Sequence, residues 1–113
     1  MASDDFEVVE YKVLAYLYQS IKDGVKPSAA KAQEVAKVNP VYWDAVISDL
    51  SDRGLVKANA VRMFDSTSYG DVRITSAGVD YLGESPKMRK AKEFLGTAFD
   101  TVLHIAIEAS RAM

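Results

Sequence analysis

Apolar residues recur every three or four positions in the first part of the chain, and this spacing predicts a helix over residues 5–22. The acidic residues Asp4, Asp5 and Glu7 suit the positive end of that helix. Its apolar face consists of Phe6, Val9, Val13, Leu17 and Ile21.

Polar capping residues predict where two further helices begin. Ser28 suits the N-cap of a short helix at about 29–38. Asn39 caps a third helix, with Pro40 at its first position, and Gly54 ends that helix after Arg53. This third helix buries Trp43, Ile47 and Leu50. Helix, tight turn, helix and glycine together predict a helix-turn-helix.

The pattern then changes to one that favours strands. Residues 55–64 suit a first strand, residues 65–71 a polar turn, and residues 72–74 a second short strand. A β-hairpin directly after the third helix occupies the position of a wing. Thr75 or Ser76 then caps a short helix that runs through Leu82.

The longest helical pattern runs from Lys87 to about Arg111 and carries apolar side chains around more than half of its circumference after residue 98. We expect one stripe to pack on the first helix and another to meet a second copy of the chain. The alternative is that both stripes pack within the monomer. The residues predicted at the dimer interface are Leu95, Phe99, Val102, Leu103, Ala106 and Ile107.

These elements predict an α+β, mainly α fold, namely a winged helix-turn-helix with a three-helix core, a β-hairpin wing and a long C-terminal helix. Residues 1–83 form the winged helix-turn-helix and residues 84–113 the helix for packing and dimerisation, within one structural domain. The length of 113 residues is typical of one domain.

Composition narrows the function classes. The chain has no cysteine and one histidine, which excludes disulfides, thiolate catalysis and zinc fingers. No apolar run approaches the roughly 20 residues that span a bilayer, and the acidic start lacks the features of a signal peptide. We therefore expect a cytoplasmic protein without a membrane partner.

Sequence motifs for phosphate loops, dinucleotide binding and nucleophile elbows are absent. Asp100, His104 and Glu108 are spaced by four residues, but a polar stripe on a helix explains this spacing better than a metal site does. We predict no enzyme activity, no cofactor and no metal.

The charge of the chain argues against DNA binding through the third helix. The net charge is −2, and residues 39–53 carry one arginine against three aspartates, on the helix that would enter the major groove. Flanking residues could still contact DNA, and this interpretation ranks slightly ahead because the fold most often serves it. The alternative is a protein–protein interaction module that does not bind DNA. The candidate DNA contacts are Lys31, Lys37, Tyr42, Ser48, Arg53, Lys57, Arg62 and Arg73.

The segment ITSAGVDYLGESPKMRKAKEFL, residues 74–95, resembles the YjcQ-like family of small winged-helix proteins associated with phages and prophages. The resemblance lies in the T-x-x-G-x-x-Y-L step at Thr75, Gly78, Tyr81 and Leu82, and in the start of the last helix. It implies the winged-helix fold and a phage-related role. It implies no established activity and no defined site residues.

Overall fold

A computed structural model describes residues 2–62 and 67–111 of the chain. Within these residues the fold has five helices and one two-stranded antiparallel sheet. The predicted α+β, mainly α fold class is confirmed, and the layout is consistent with a winged helix. The elements are α1 (Phe6–Lys22), α2 (Ala29–Ala36), α3 (Pro40–Asp52), β1 (Val56–Arg62), β2 (Thr67–Ile74), α4 (Ser76–Glu84) and α5 (Pro86–Arg111).

Side-chain caps fix the starts of three helices, as the sequence predicts. Ser28 Oγ accepts the Lys31 amide at 3.3 Å, Asn39 Oδ1 the Tyr42 amide at 2.8 Å, and Thr75 Oγ1 the Gly78 amide at 3.0 Å. Each bond satisfies an amide that has no partner within the helix. The caps therefore set the boundaries of the helix-turn-helix and of α4.

Left-handed residues end α2 and α3. Lys37, which follows α2, has φ 56° and ψ 50°, and Gly54 has φ 73°. The glycine was predicted, because only glycine adopts this conformation without a steric cost. Lys37 takes the same conformation within the turn between α2 and α3.

The second strand of the hairpin is longer than predicted. β2 begins at Thr67, so part of the segment that reads as a polar turn pairs with β1 instead. Val56 pairs with Ile74 and Lys57 with Arg73, and the register shifts between Ala58 and Ala60. Polarity alone misled the prediction, because cross-strand pairing decides strand membership in a solvated hairpin. The predicted strand end and turn at residues 63–66 lie outside the described residues.

α1 is the centre of the core. Its residues from Val8 to Leu17 are all buried, and α1 contacts every other helix as well as β2. Trp43, Ile47 and Leu50 of α3 are buried as predicted.

The predicted long C-terminal helix is present as α5, and a kink at Gly96 that the sequence analysis did not predict divides it. Gly96 has φ 65° and ψ −161°, a combination outside the helical region. Before the break α5 buries Met88 and Ala91, and after it the buried side chains are Phe99, Leu103 and Ile107. The bend brings the second half of α5 onto α1, where the rings of Phe99 and Tyr11 meet at 5.9 Å.

Hydropathy gives one further result. In the part of the chain that the structure describes, no helix combines the length and apolar character needed to span a bilayer.

Candidate nucleic-acid interface

The outward ridge of α3 consists of Val41, Ala45, Ser48 and Asp52, which follow one another at steps of four, three and four. All four residues are exposed, and Val41 is 81% exposed. The first three are small or β-branched and carry no charge. The part of α3 that a DNA groove would meet first is therefore uncharged.

The other two aspartates of α3 lie beside this ridge. Asp44 is half-buried, and its Oδ1 atom is buried with no hydrogen-bond partner among the described residues. Asp49 forms an ion pair with Arg53 at 3.0 Å. Counting three aspartates from the sequence therefore overstates the negative charge that the ridge presents, since Asp52 alone of the three lies on it.

Arg53 links three helices. Its guanidinium lies 2.8 Å from the Glu10 carboxylate of α1, 3.0 Å from Asp49, and over the Tyr81 ring of α4 at 4.7 Å. Arg53 was predicted to contact phosphate, but here its charge is matched by two carboxylates. The sequence gives no sign of this arrangement, because Glu10 is 43 residues away.

Glu10 is a buried acid within this cluster. Its side chain is 3% exposed. Burial raises the pKa of Glu10 to about 7, although the charge of Arg53 acts in the opposite direction. Arg53 and Glu10 thus join α1 to the end of α3 at an acid whose pKa lies close to neutral.

Two further predicted DNA contacts are engaged inside the chain. The Tyr42 ring stacks on Phe6 at 6.0 Å, and its hydroxyl donates to the Asp4 carbonyl. Lys31 pairs with Glu34 at 3.0 Å. The structure therefore places neither side chain as a free contact for DNA.

Lys37, Lys57 and Arg73 are exposed, and none of them forms an ion pair with a carboxylate of residues 2–62 or 67–111. Lys57 and Arg73 are register partners and share the outer face of the hairpin, opposite the buried Val56 and Val72. The side chain of Arg62, the remaining predicted contact, lies outside the described part of the chain.

The positive charge is not continuous across the candidate interface. Lys37 precedes α3, whereas Lys57 and Arg73 follow it on the hairpin, and the ridge between them has no cation. Lys26, which the sequence analysis did not single out, lines one groove together with Lys57 and Arg73. The chain thus presents cations before and after α3, whereas the ridge itself carries the negative charge of Asp52.

A sequence model of the YjcQ protein family matches residues 11–101. The chain belongs to the YjcQ family. The match covers α2, α3, the hairpin and α4, together with most of α1 and the first part of α5. No curated protein and no solved structure matches the chain.

In this YjcQ family member the T-x-x-G-x-x-Y-L residues have structural roles. Thr75 caps α4 and donates from its hydroxyl to the Gly54 carbonyl at 2.7 Å. Gly78 is buried against the Leu55 carbonyl, and the Tyr81 ring lies under Arg53. These residues fix α4 against the turn that follows α3.

The six predicted dimer residues of the YjcQ chain fall into two groups. Phe99, Leu103 and Ile107 are buried within the monomer, so this arrangement leaves them unavailable to a second copy. Leu95 and Ala106 are half-buried, and Val102 is 36% exposed. The bend at Gly96 explains the difference, because it turns the stripe at residues 99, 103 and 107 toward α1. The sequence list omitted Ile105, which is 66% exposed.

The polar stripe of α5 forms an open depression lined by Asp100, Thr101, His104, Ile105 and Glu108. Among residues 2–62 and 67–111 no group of three histidine, aspartate or glutamate side chains is placed to hold a metal ion.

Proposed function

We propose that this YjcQ family member binds double-stranded DNA, with α3 facing the major groove. The observation that carries the proposal is the exposure of the uncharged residues Val41, Ala45 and Ser48 on the α3 ridge, with the exposed cations Lys37 before α3 and Lys57 and Arg73 after it. We propose no catalytic step and no cofactor, and we expect a cytoplasmic location.

The chemistry of the ridge suits weak base contact. Methyl groups such as those of Ala45 and Val41 can pack on the thymine methyl, and the hydroxyl of Ser48 can bond to base edges of either kind. Lys37, Lys57 and Arg73 would contact phosphates, which position a protein on DNA without reading its sequence. We therefore expect low sequence specificity and strong dependence on salt.

The test uses the fluorescence anisotropy of a fluorescein-labelled duplex of mixed sequence to measure how binding depends on salt concentration. The variant Lys57→Gln/Arg73→Gln removes two phosphate contacts. Since each contact contributes about 0.9 to the slope of log K against log salt, the slope should become shallower by about 1.8. The matched control is Lys90→Gln/Lys92→Gln, which removes the same charge from an exposed part of α5.

Absence of binding by the unmodified chain at low salt would contradict the proposal. An equal loss in the two double variants would show that attraction depends on total charge and not on the hairpin. Loss in the hairpin variant, with the α5 control close to the unmodified chain, is the expected result.

A second candidate function, protein–protein contact, is favoured by an exposed apolar ridge on α5. Ala98, Val102, Ile105 and Ala109 follow one another at steps of four, three and four, which is the spacing of helices that pair. We propose a second copy of the chain as the partner of this ridge. The ridge replaces the buried residues Phe99, Leu103 and Ile107 of the sequence prediction.

Light scattering over a range of concentrations tests this pairing. The unmodified chain should approach twice the monomer mass, whereas Ile105→Glu, which places a charge in the ridge, should remain monomeric. The matched control is Thr97→Glu, two turns earlier on the exposed polar side of α5. A chain that stays monomeric at high concentration would exclude the dimer.

A further inference from the structure

The segment Ala2–Phe6, which we call the strap, packs on the first turn of α3. Its Phe6 ring stacks on Tyr42 at 6.0 Å, and its Asp4 carbonyl accepts the Tyr42 hydroxyl. A third contact joins the strap to α1, where the Lys12 ammonium donates to the Ser3 carbonyl at 3.0 Å. The strap is therefore held at three points, two of them on α3.

Lys12 beneath the strap is an unusual lysine. The residue is 6% exposed, and within residues 2–62 and 67–111 no carboxylate lies within ion-pair distance of its ammonium. Buried lysines are ordinarily paired with an acid. Burial lowers the pKa of Lys12, the charge of Lys37 lowers it further, and Asp4 opposes both. Lys12 thus lies beneath the strap, whose other two contacts are on the first turn of α3.

We propose that Lys12 is a concealed DNA phosphate contact beside the start of α3, and that the acidic strap covers it. The inference rests on the proposed DNA binding and deepens it. In a helix-turn-helix the N-terminal residues of the recognition helix approach the base edges, so the strap on Tyr42 lies beside the place where DNA would arrive.

The negative charges of the strap oppose DNA binding, as its position does. Asp4 and Asp5 give the strap two exposed carboxylates, and carboxylates repel phosphate. Release of the strap moves them away and exposes the Lys12 ammonium. One movement therefore removes negative charge and adds positive charge at the same place.

The experiment measures duplex binding by anisotropy at 50 mM salt and the salt slope for full-length variants. Phe6→Ala removes the stack that holds the strap and leaves every charge in place; Phe6 is already 39% exposed, so the core is little changed. One added phosphate contact predicts about tenfold tighter binding at this salt and a slope steeper by about 0.9. Circular dichroism of each variant confirms that it is folded.

Lys12→Gln identifies the group that makes the new contact, since glutamine keeps a donor for the Ser3 carbonyl. In the unmodified background it should leave affinity unchanged, because the strap covers the site. In the Phe6→Ala background it should cancel the tenfold gain.

A second variant, Asp4→Asn/Asp5→Asn, leaves the strap in place and removes its negative charge. It should also tighten binding, by more than the matched control Asp80→Asn/Glu84→Gln on α4.

The outcomes separate the strap from the proposed function. If the unmodified chain binds DNA and Phe6→Ala binds with the same affinity and slope, the strap inference fails and the DNA proposal stands. If Phe6→Ala/Lys12→Gln binds as tightly as Phe6→Ala, Lys12 is not the contact. If none of the chains binds DNA at 50 mM salt, both proposals fail.

Discussion

Gly78 gives the sharpest test of how α4 is packed. A Cβ atom at this position would lie 2.1 Å from the Leu55 carbonyl oxygen and 2.7 Å from Cγ1 of Ile74. The Leu55 oxygen also accepts the Thr75 amide at 3.1 Å, so it cannot turn away without loss of that bond. Gly78→Ala therefore forces α4 away from the segment that joins α3 to the hairpin.

The cost can be gauged from the overlap. A carbon–oxygen contact at 2.1 Å must open by about 1 Å, and overpacking of this kind costs about 3 kcal/mol when backbone has to move. For a chain of 113 residues, each kcal/mol corresponds to roughly 4 °C in the unfolding midpoint, which predicts a fall of roughly 12 °C.

Thermal unfolding followed by circular dichroism measures this fall, and Gly83→Ala is the matched control. Gly83 belongs to the same helix, and a Cβ there meets no atom within 4 Å. Alanine is a better helix former than glycine, so Gly83→Ala should raise stability by up to about 1 kcal/mol. A Gly78→Ala variant as stable as the unmodified chain would refute the packing described for α4.

Three further predictions concern the acidic cluster and the last helix. Glu10 has a pKa near 7 in the folded chain and near 4.5 when unfolded, so its contribution to stability is complete below pH 4.5 and is lost as pH rises through 7. The free energy of unfolding in urea should therefore be lower at pH 8 than at pH 5, by on the order of 2–3 kcal/mol. Glu10→Gln should abolish this difference. An equal pH dependence in the unmodified chain and in Glu10→Gln would contradict the assignment of the loss to Glu10. Leu103→Ala should lower the free energy of unfolding by about 3 kcal/mol, because Leu103 is only 7% exposed. Val102→Ala, at a 36% exposed position, should lower it by under about 1 kcal/mol. Similar losses for the two variants in urea unfolding would contradict the orientation of α5. Gly96→Ala should destabilise the chain by about 1 kcal/mol, because alanine is strained at φ 65°; a stabilised variant would indicate a continuous helix.

The parts of the fold that depend on local chemistry could be predicted from the sequence. Ser28, Asn39 and Thr75 cap helices through bonds to amides three residues later, so a few adjacent letters contain the whole signal. Gly54 is equally local, because it supplies the left-handed residue after α3.

The break in α5 could not be predicted from the same kind of pattern. Apolar residues continue at helical spacing through Gly96, and a glycine within a helix is tolerated at modest cost. Packing of Phe99 on Tyr11 favours the bend, and that contact joins residues far apart in sequence.

The candidate site could be predicted only where it depends on the place of a residue within its own element. Exposure of Ser48, Lys57 and Arg73 follows from their places on the outer faces of α3 and the hairpin. The engagement of Arg53 by Glu10 and of Tyr42 by the strap depends on tertiary contacts that leave no periodic signal in the sequence.

The central claim is that DNA lies on the α3 ridge and touches the cations on both sides of it. Chemical-shift mapping of the ¹⁵N-labelled chain with a short duplex at low salt tests this claim most directly. We expect the duplex to change the amide chemical shifts of Ala45 and Ser48 on the ridge and of the cations Lys37, Lys57 and Arg73. Shifts confined to α5, or none at any duplex concentration, would contradict it.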